Sequence, residues 1–204
     1  MVWLGFDPGG RGAFGVALLQ ENRAGPALAT VDCATEAVKW VRDKIGHSSP
    51  SAVGIDTLMF WSGGLGGWRE ADKWLRQRYA KAAGGVIAPN SLWGSMVMQG
   101  MALAMLIRRC WPEVRITETH PKMLYYACAN CASRWETDRE VMLQWLSAKL
   151  DCRCDAATDH EFDALMSAWA AREGFCGAWR DLRKLSTNDS ILEPAGPVHY
   201  WWPE

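Results

Sequence analysis

The sequence has no excess of charge of either sign: 22 Lys and Arg stand against 23 Asp and Glu, a formal net charge of −1. Without a basic surplus there is no global attraction for nucleic acid or for an anionic membrane surface, so any such contact has to be local. No secretory leader is expected, because Met1 runs straight into an apolar, strand-like segment with neither a basic stretch nor a cleavage site, which predicts a cytoplasmic protein. The uncharged stretch 91–107 contains Gln99 and falls short of the ~20 residues a bilayer needs, so it reads as a buried helix and no membrane contact is expected. No internal repeat and no low-complexity tract is present, which excludes solenoid and disordered classes. The seven cysteines are an odd number in a chain without a leader, and they fit reduced thiols better than a disulfide framework.

What is abundant is apolar residue. At 204 residues, with 49% hydrophobic content and thirteen tryptophans, the chain can bury a large core, and its length predicts one domain over 1–204 with a packed, irregular tail from about 175. Residues 2–7, 13–19 and 27–32 read as three strands, the first two joined by the turn PGGRG, where glycine supplies positive φ. Helical spacing follows over Thr35–Ile45, then a short strand Ala52–Asp56, so the order is strand, helix, strand. Glycines at 63, 64, 66 and 67 mark a flexible loop and a candidate lid. A basic amphipathic helix is expected over Trp68–Ala83, and a long helix from a cap at Asn90 or Ser91 to Cys110, with Met96, Met98, Met101 and Met105 as core residues. A strand Val114–Thr117 ends at Glu118. Helices are expected from Pro121, from Thr137 to Leu150 and from Asp159 to Arg172.

Three of these strands end in an acid: Asp7 after VWLGF, Asp56 after AVGI and Glu118 after VRIT. Acids at the ends of neighbouring strands converge on one sheet edge, where they repel each other and their pKa values rise unless a cation is present. Hard divalent ions such as Mg²⁺ and Mn²⁺ are the usual answer, because they take oxygen ligands from a few carboxylates. A fourth acidic cluster, TDHEFDALMSAWAA, opens the last helix. There Thr158 and Glu161 have the spacing of a capping box, which accounts for Glu161 without chemistry. Asp163 lies one turn beyond Asp159 on the same face, an arrangement that costs stability unless a cation joins the two.

The ordered set of the glycine-turn hairpin with Asp7, the mid-chain ID, the later strand Glu and the final helix with DAL resembles the RNase H-like superfamily of retroviral-integrase and Holliday-junction-resolvase type. More closely, GIDTLMFW, READKWLRQR, APNSLWGSMVMQG, TETHPK and DHEFDALMSAWAA resemble an uncharacterised bacterial family of predicted RNase H-like nucleases. The resemblance covers almost the whole chain. It implies an α/β fold whose mixed sheet starts with an antiparallel hairpin and carries helices on both faces. It implies metal-dependent hydrolysis of a nucleic-acid phosphodiester, with Asp7, Asp56, Glu118 and Asp163 as catalytic metal ligands and two Mg²⁺ or Mn²⁺ ions. Asp159 is a further candidate ligand. His160 occupies the place, three residues before Asp163, where related resolvases carry an acid, and it is placed with Gly9 and Gly10 on the substrate side.

Arg69, Asp72 and Arg76 share one helix face. Either Arg69 pairs with Asp72, or Arg69 and Arg76 bind substrate phosphate through the forked guanidinium geometry. Cys128 and Cys131 with Cys152 and Cys154 have a spacing that could close a structural zinc site. Two other classes fit the pattern less well. One is an ATP-using phosphotransferase of the actin and sugar-kinase type, which DPGGRG also resembles but which needs two such domains. The other is a module of the same fold that binds nucleic acid or protein without turnover.

Overall fold

Val2–Asp7 is apolar at almost every position, as a strand buried on both faces has to be, and the computed structural model makes it the centre of a five-stranded sheet. Residues 1–21, 24–62, 65–88, 94–183 and 190–203 are described. In chain order the elements are β1 Val2–Asp7, β2 Phe14–Gln20, β3 Ala27–Val31, α1 Ala34–Ile45, β4 Ala52–Ile55, β5 Trp61–Ser62, α2 Glu70–Arg78, α3 Gly94–Cys110, β6 Arg115–Glu118, α4 Pro121–Ala129, α5 Trp135–Leu150, α6 Asp159–Phe175, β7 Arg180–Asp181, β8 Ser190–Leu192 and β9 Trp201–Trp202. The main sheet runs β3-β2-β1-β4-β6. Its first three strands pair antiparallel, while β4 and β6 join parallel. A mixed α/β sheet opened by an antiparallel hairpin is therefore what forms.

Side chains alternate across each strand, and the two faces bury different partners. Leu4, Phe6, Val16, Leu18, Val53 and Ile55 pack with α1 and α3. Trp3, Ala17, Leu19 and Ala52 face the other way, toward α6. Helices thus cover both faces. On the α6 side three strand glycines sit beneath the helix backbone. A methyl group at Gly5 would overlap the carbonyl oxygen of Ala164, one at Gly15 that of His160, and one at Gly54 that of Ser167. Without Cβ atoms there, α6 lies directly on β1, β2 and β4, and its own small residues Ala164, Ala168 and Ala171 are fully buried.

Several expected boundaries shift. The helix expected over Trp68–Ala83 stops at Arg78, and Ala80–Gly85 continues as a 3₁₀ segment. The Asn90 or Ser91 cap, and Gly63 and Gly64 of the expected lid, lie outside the described residues. Only part of α3 is core: Val97, Gly100, Leu103, Ala104 and Ile107 are buried, whereas Met98 and Met105 are 73% and 55% exposed. These two methionines correct the expectation of an all-core methionine set. No helix among the described residues is long and apolar enough to cross a membrane. The C-terminal segment adds an edge contact: the His199 N–H donates to the Ile116 carbonyl, and the His199 carbonyl accepts from Glu118 N–H. Trp201 and Trp202 are buried.

Candidate functional site

Asp7 follows Gly5 by two residues on β1, and Asp56 follows Gly54 by two, just past the end of β4, so alternation turns both carboxylates to the α6 face. The β1–β4 register pairs Phe6 with Ile55 and brings the next residues, Asp7 and Asp56, side by side. From above, α6 contributes Asp163, which is 5% exposed. Its first turn is held by Thr158, whose hydroxyl accepts from the Glu161 N–H at 3.1 Å. The Glu161 carboxylate accepts from the Ala157 N–H at 2.7 Å and from the Thr30 hydroxyl at 3.3 Å. Only the Thr158 half of the expected capping box forms, since Glu161 takes the N–H of Ala157 and not that of Thr158; its contacts are structural.

The field among these acids is strongly negative. Burial, then the charges of Asp7 and Asp163, push Asp56 well above the usual carboxylate range. Burial and Asp7 push Asp163 up to about 8. Burial also raises Asp7, against the pull of His160, whose Nδ1 lies 2.6 Å from an Asp7 oxygen. That hydrogen bond in turn raises the imidazole pKa. Asp159 sits further out, 40% exposed at its side chain, and accepts the His160 N–H at 3.0 Å. Gly9 and Gly10 shape the turn after Asp7: a Cβ on Gly9 would overlap the Ala13 carbonyl oxygen, and Gly10 faces Ser95 at the start of α3. Only Gly12 of this turn has positive φ, 68°.

One residue that the sequence reading passed over belongs here. Lys122 extends from the first turn of α4 to 3.9 Å from an Asp163 oxygen, and Asp163, Asp56, Asp159 and Asp7 all raise its pKa. The available signal was positional: a lysine beside Pro121 at a helix N-terminus opposes the helix dipole, which is tolerable where it faces anions.

Glu118 is not in this group. It pairs in register with Ile55, not Asp56, so it projects from the opposite face of the sheet. Its Oε1 accepts from Arg69 Nη2 at 2.6 Å and lies 3.2 Å from His120 Nε2, while Oε2 accepts from Arg69 Nη1 at 2.9 Å and from the Met59 N–H at 3.0 Å. Both oxygens are fully engaged, leaving no lone pair for an ion. Burial alone would raise its pKa, but Arg69 and His120 overcome that and hold the carboxyl down to about 2. The expectation of Glu118 as a metal ligand is corrected accordingly.

The substrate-side expectation for the two arginines is corrected too. Arg69 has no solvent exposure and spends its guanidinium on Asp72 and Glu118, at 2.7 and 2.6 Å for Nη2. Its Cζ also lies 4.3 Å from the Phe60 ring centroid. Arg76 donates to the carbonyls of Ala83 and Val86 at 2.7 and 2.9 Å and lies over Trp68, bracing the 3₁₀ segment. Nor do the four cysteines form a zinc site. Cys128, Cys131 and the Cys152/Cys154 pair line three separate depressions of the surface. Burial holds the Cys128 and Cys154 thiols protonated, at about 11 and about 12.

Among the described residues no three His, Cys, Asp or Glu side chains stand close enough to grip an ion as they are. The donor chemistry nevertheless suits a hard divalent cation: three carboxylates converge on one sheet face, Asp7 and Asp163 buried and Asp56 half-buried, neutralised only in part by His160 and Lys122.

No family model matches the chain, and no curated protein matches it. Among solved structures it is similar to Thermus thermophilus RuvC, with 15% identity and a TM-score of 0.47, over 87% of this chain and 96% of that one. A second match, at the same identity and TM-score, is T. thermophilus RuvC in complex with a Holliday junction substrate, over 87% of this chain and 95% of that one.

Proposed function

We propose that this chain is a divalent-metal-dependent nuclease that hydrolyses a phosphodiester bond at Asp7, Asp56 and Asp163. The observation that carries the reading is the convergence of these three acids on one face of the sheet, each with a pKa raised by burial, Asp56 also by the charges of Asp7 and Asp163, and Asp163 also by that of Asp7. A protein does not gather charge this way for stability, because uncompensated buried carboxylates cost free energy. Such clusters mark functional sites.

In this reading Asp7, Asp56 and Asp163 hold Mg²⁺ or Mn²⁺, with Asp159 at the outer edge. The ions, when bound, lower the pKa of the attacking water and stabilise the departing oxygen. The chain's own residues do the rest. His160, hydrogen-bonded to Asp7, fixes that carboxylate and carries an exchangeable proton at its edge. Lys122, with 75% of its side chain exposed, is the cation that meets an incoming phosphate. The Gly9–Gly10 turn keeps side chains out of the approach to Asp7. Glu118 and Arg69 take no part in the chemistry; they lock β6 and the start of α2 beneath it.

The test is cleavage of single-stranded, duplex and branched DNA and of RNA, with Mg²⁺ or Mn²⁺ and with chelator. Metal-dependent strand scission that Asp56→Asn abolishes is the expected result. No scission of any substrate in either metal overturns the reading and leaves a binding module. Metal-dependent ATP turnover without strand scission would favour the phosphotransferase.

A further inference from the structure

A cavity of about 290 Å³ opens directly beside Asp163 and Asp159, between α4 and α6, with Lys122 at its rim. Its far wall is the turn between α4 and α5, which exists because α4 ends at Asn130 in a left-handed conformation (φ 54°) and the chain doubles back into Trp135. The lining is mainly aromatic and apolar: Tyr126, Trp135, Phe162 and Met123. Trp135 leans on Phe162 with ring centroids 5.6 Å apart and planes at 40°, and Tyr125 meets the same Phe162 edge-on at 6.0 Å. Polar side chains also line it, among them Lys122, Ser133, Arg134, Glu136, Asp159 and Asp163, and Cys131 Sγ lies 3.8 Å from Ser133 Oγ.

We propose that this cavity receives a single nucleobase of the substrate strand, next to the phosphate held at the acid cluster. The inference rests on the nuclease reading and names the part of the substrate that enters beside it. Three features select a base. The walls offer aromatic faces, on which any base can stack. The volume is at the small end of the ~300–1,000 Å³ of small-molecule sites, enough for one flat group and far short of a duplex groove ~12 Å wide, so the base has to leave the helical stack to enter. Charge is placed for a nucleotide at one point: Lys122, with most of its side chain in solvent, stands at the rim beside Asp163, where it meets the phosphate of the same nucleotide, while Arg134, Glu136, Asp159 and Asp163 also line the cavity.

The inference is tested by ¹⁵N-indole NMR of the whole protein without metal, with the Trp135 signal assigned through Trp135→Phe. Deoxynucleoside 5′-monophosphates are expected to shift the Trp135 resonance, and deoxyribose 5-phosphate is not. Ala132→Trp adds bulk at an exposed position of the rim, and loss of one base stack there should weaken nucleotide binding about ten-fold. Its melting temperature should equal that of the parent. If no mononucleotide moves Trp135 while oligonucleotides are still cleaved, the base pocket is overturned and the nuclease stands. An equal response to deoxyribose 5-phosphate also overturns it, since the base then adds nothing. A nucleotide-specific shift in a protein that cleaves nothing supports the pocket and overturns the nuclease.

Discussion

Glu118 stands opposite Ile55, not Asp56, in the β4–β6 register. That one-residue offset decides what kind of acid it is. The residue level with Asp56 is Thr119, which lies on the α6 face with its hydroxyl 2.8 Å from that of Ser167. Glu118 points through the sheet to the other side, into the grip of Arg69.

Breaking that grip should cost stability and leave metal binding alone. Glu118→Gln leaves the buried Arg69 with only Asp72 as a full counter-charge, and breaking a buried pair costs about 3–5 kcal/mol. For a chain of this size a melting temperature lower by roughly 6–20 °C is expected, at 2–4 °C per kcal/mol. Calorimetry measures it, and titration calorimetry with Mn²⁺ should show unchanged affinity. Lost Mn²⁺ affinity in a variant of parental stability would return Glu118 to the site.

Asp163 makes the opposite prediction. Its carboxyl is raised in the folded state to about 8, against ~3.9 unfolded, so the folded protein binds this proton more tightly. Stability of the metal-free protein should then fall as pH rises from about 4 toward 8, because over that range the unfolded chain gives up this proton while the folded protein still holds it. Asp163→Asn should flatten that decline in part, since Asp7, Asp56 and His160, all raised as well, still titrate in the same direction. Melting curves across this range test it. Mn²⁺ should stabilise the parent at pH 8 and not the variant, which should also lose cleavage. A variant melting lower than the parent at pH 8 would contradict the burial cost assigned to Asp163.

Much of this was legible in the sequence, and the limits were physical. Apolar runs ending in Asp7 and Asp56 located the sheet edge, and TDHEFDAL located the helix above it, because strand ends and caps are written in adjacent residues. Strand register is not local. VRIT followed by Glu118 looks like AVGI followed by Asp56, but which face an acid takes depends on a pairing between residues 52–55 and 115–118, and a slip of one residue reverses it. Arg69 was similarly ambiguous: its pairing with Asp72 is local, whereas its second partner, Glu118, is 49 residues away. The tightness of α6 on the sheet was hidden too, since a strand glycine reads as a bulge or a weak point until the backbone above it is known.

Those glycines supply a direct test of how the site is positioned. In Gly54→Ala the new methyl group meets the Ser167 backbone, which cannot turn aside as a side chain can. The helix has to lift, at the ~1–3 kcal/mol or more typical of overpacked cores. A melting temperature lower by roughly 2–12 °C is expected at 2–4 °C per kcal/mol. A 1 Å displacement of a catalytic group can cost ~10²-fold in rate, so kcat for cleavage should fall far more than the lost stability explains. Parental kcat with a lowered melting temperature would mean that Asp163 does not depend on close contact between helix and sheet.

Lys122 separates metal binding from substrate binding. It carries its charge toward the same carboxylates that an ion would occupy, lying 3.9 Å from Asp163 with its pKa raised first by that residue and then by Asp56, Asp159 and Asp7. Ion and ammonium therefore compete, and removing the ammonium should help the ion. An incoming phosphate, by contrast, loses a cation it would meet on the way in. Lys122→Gln is thus expected to bind Mn²⁺ as tightly as the parent or more tightly, and to show a KM for oligonucleotide raised about 10-fold, as for one charged hydrogen bond lost. The fold should not suffer, because most of the side chain is in solvent. Mn²⁺ titration calorimetry beside cleavage kinetics at saturating metal reads both quantities. If Lys122→Gln weakens Mn²⁺ binding and leaves KM unchanged, the lysine supports the acids and does not receive substrate.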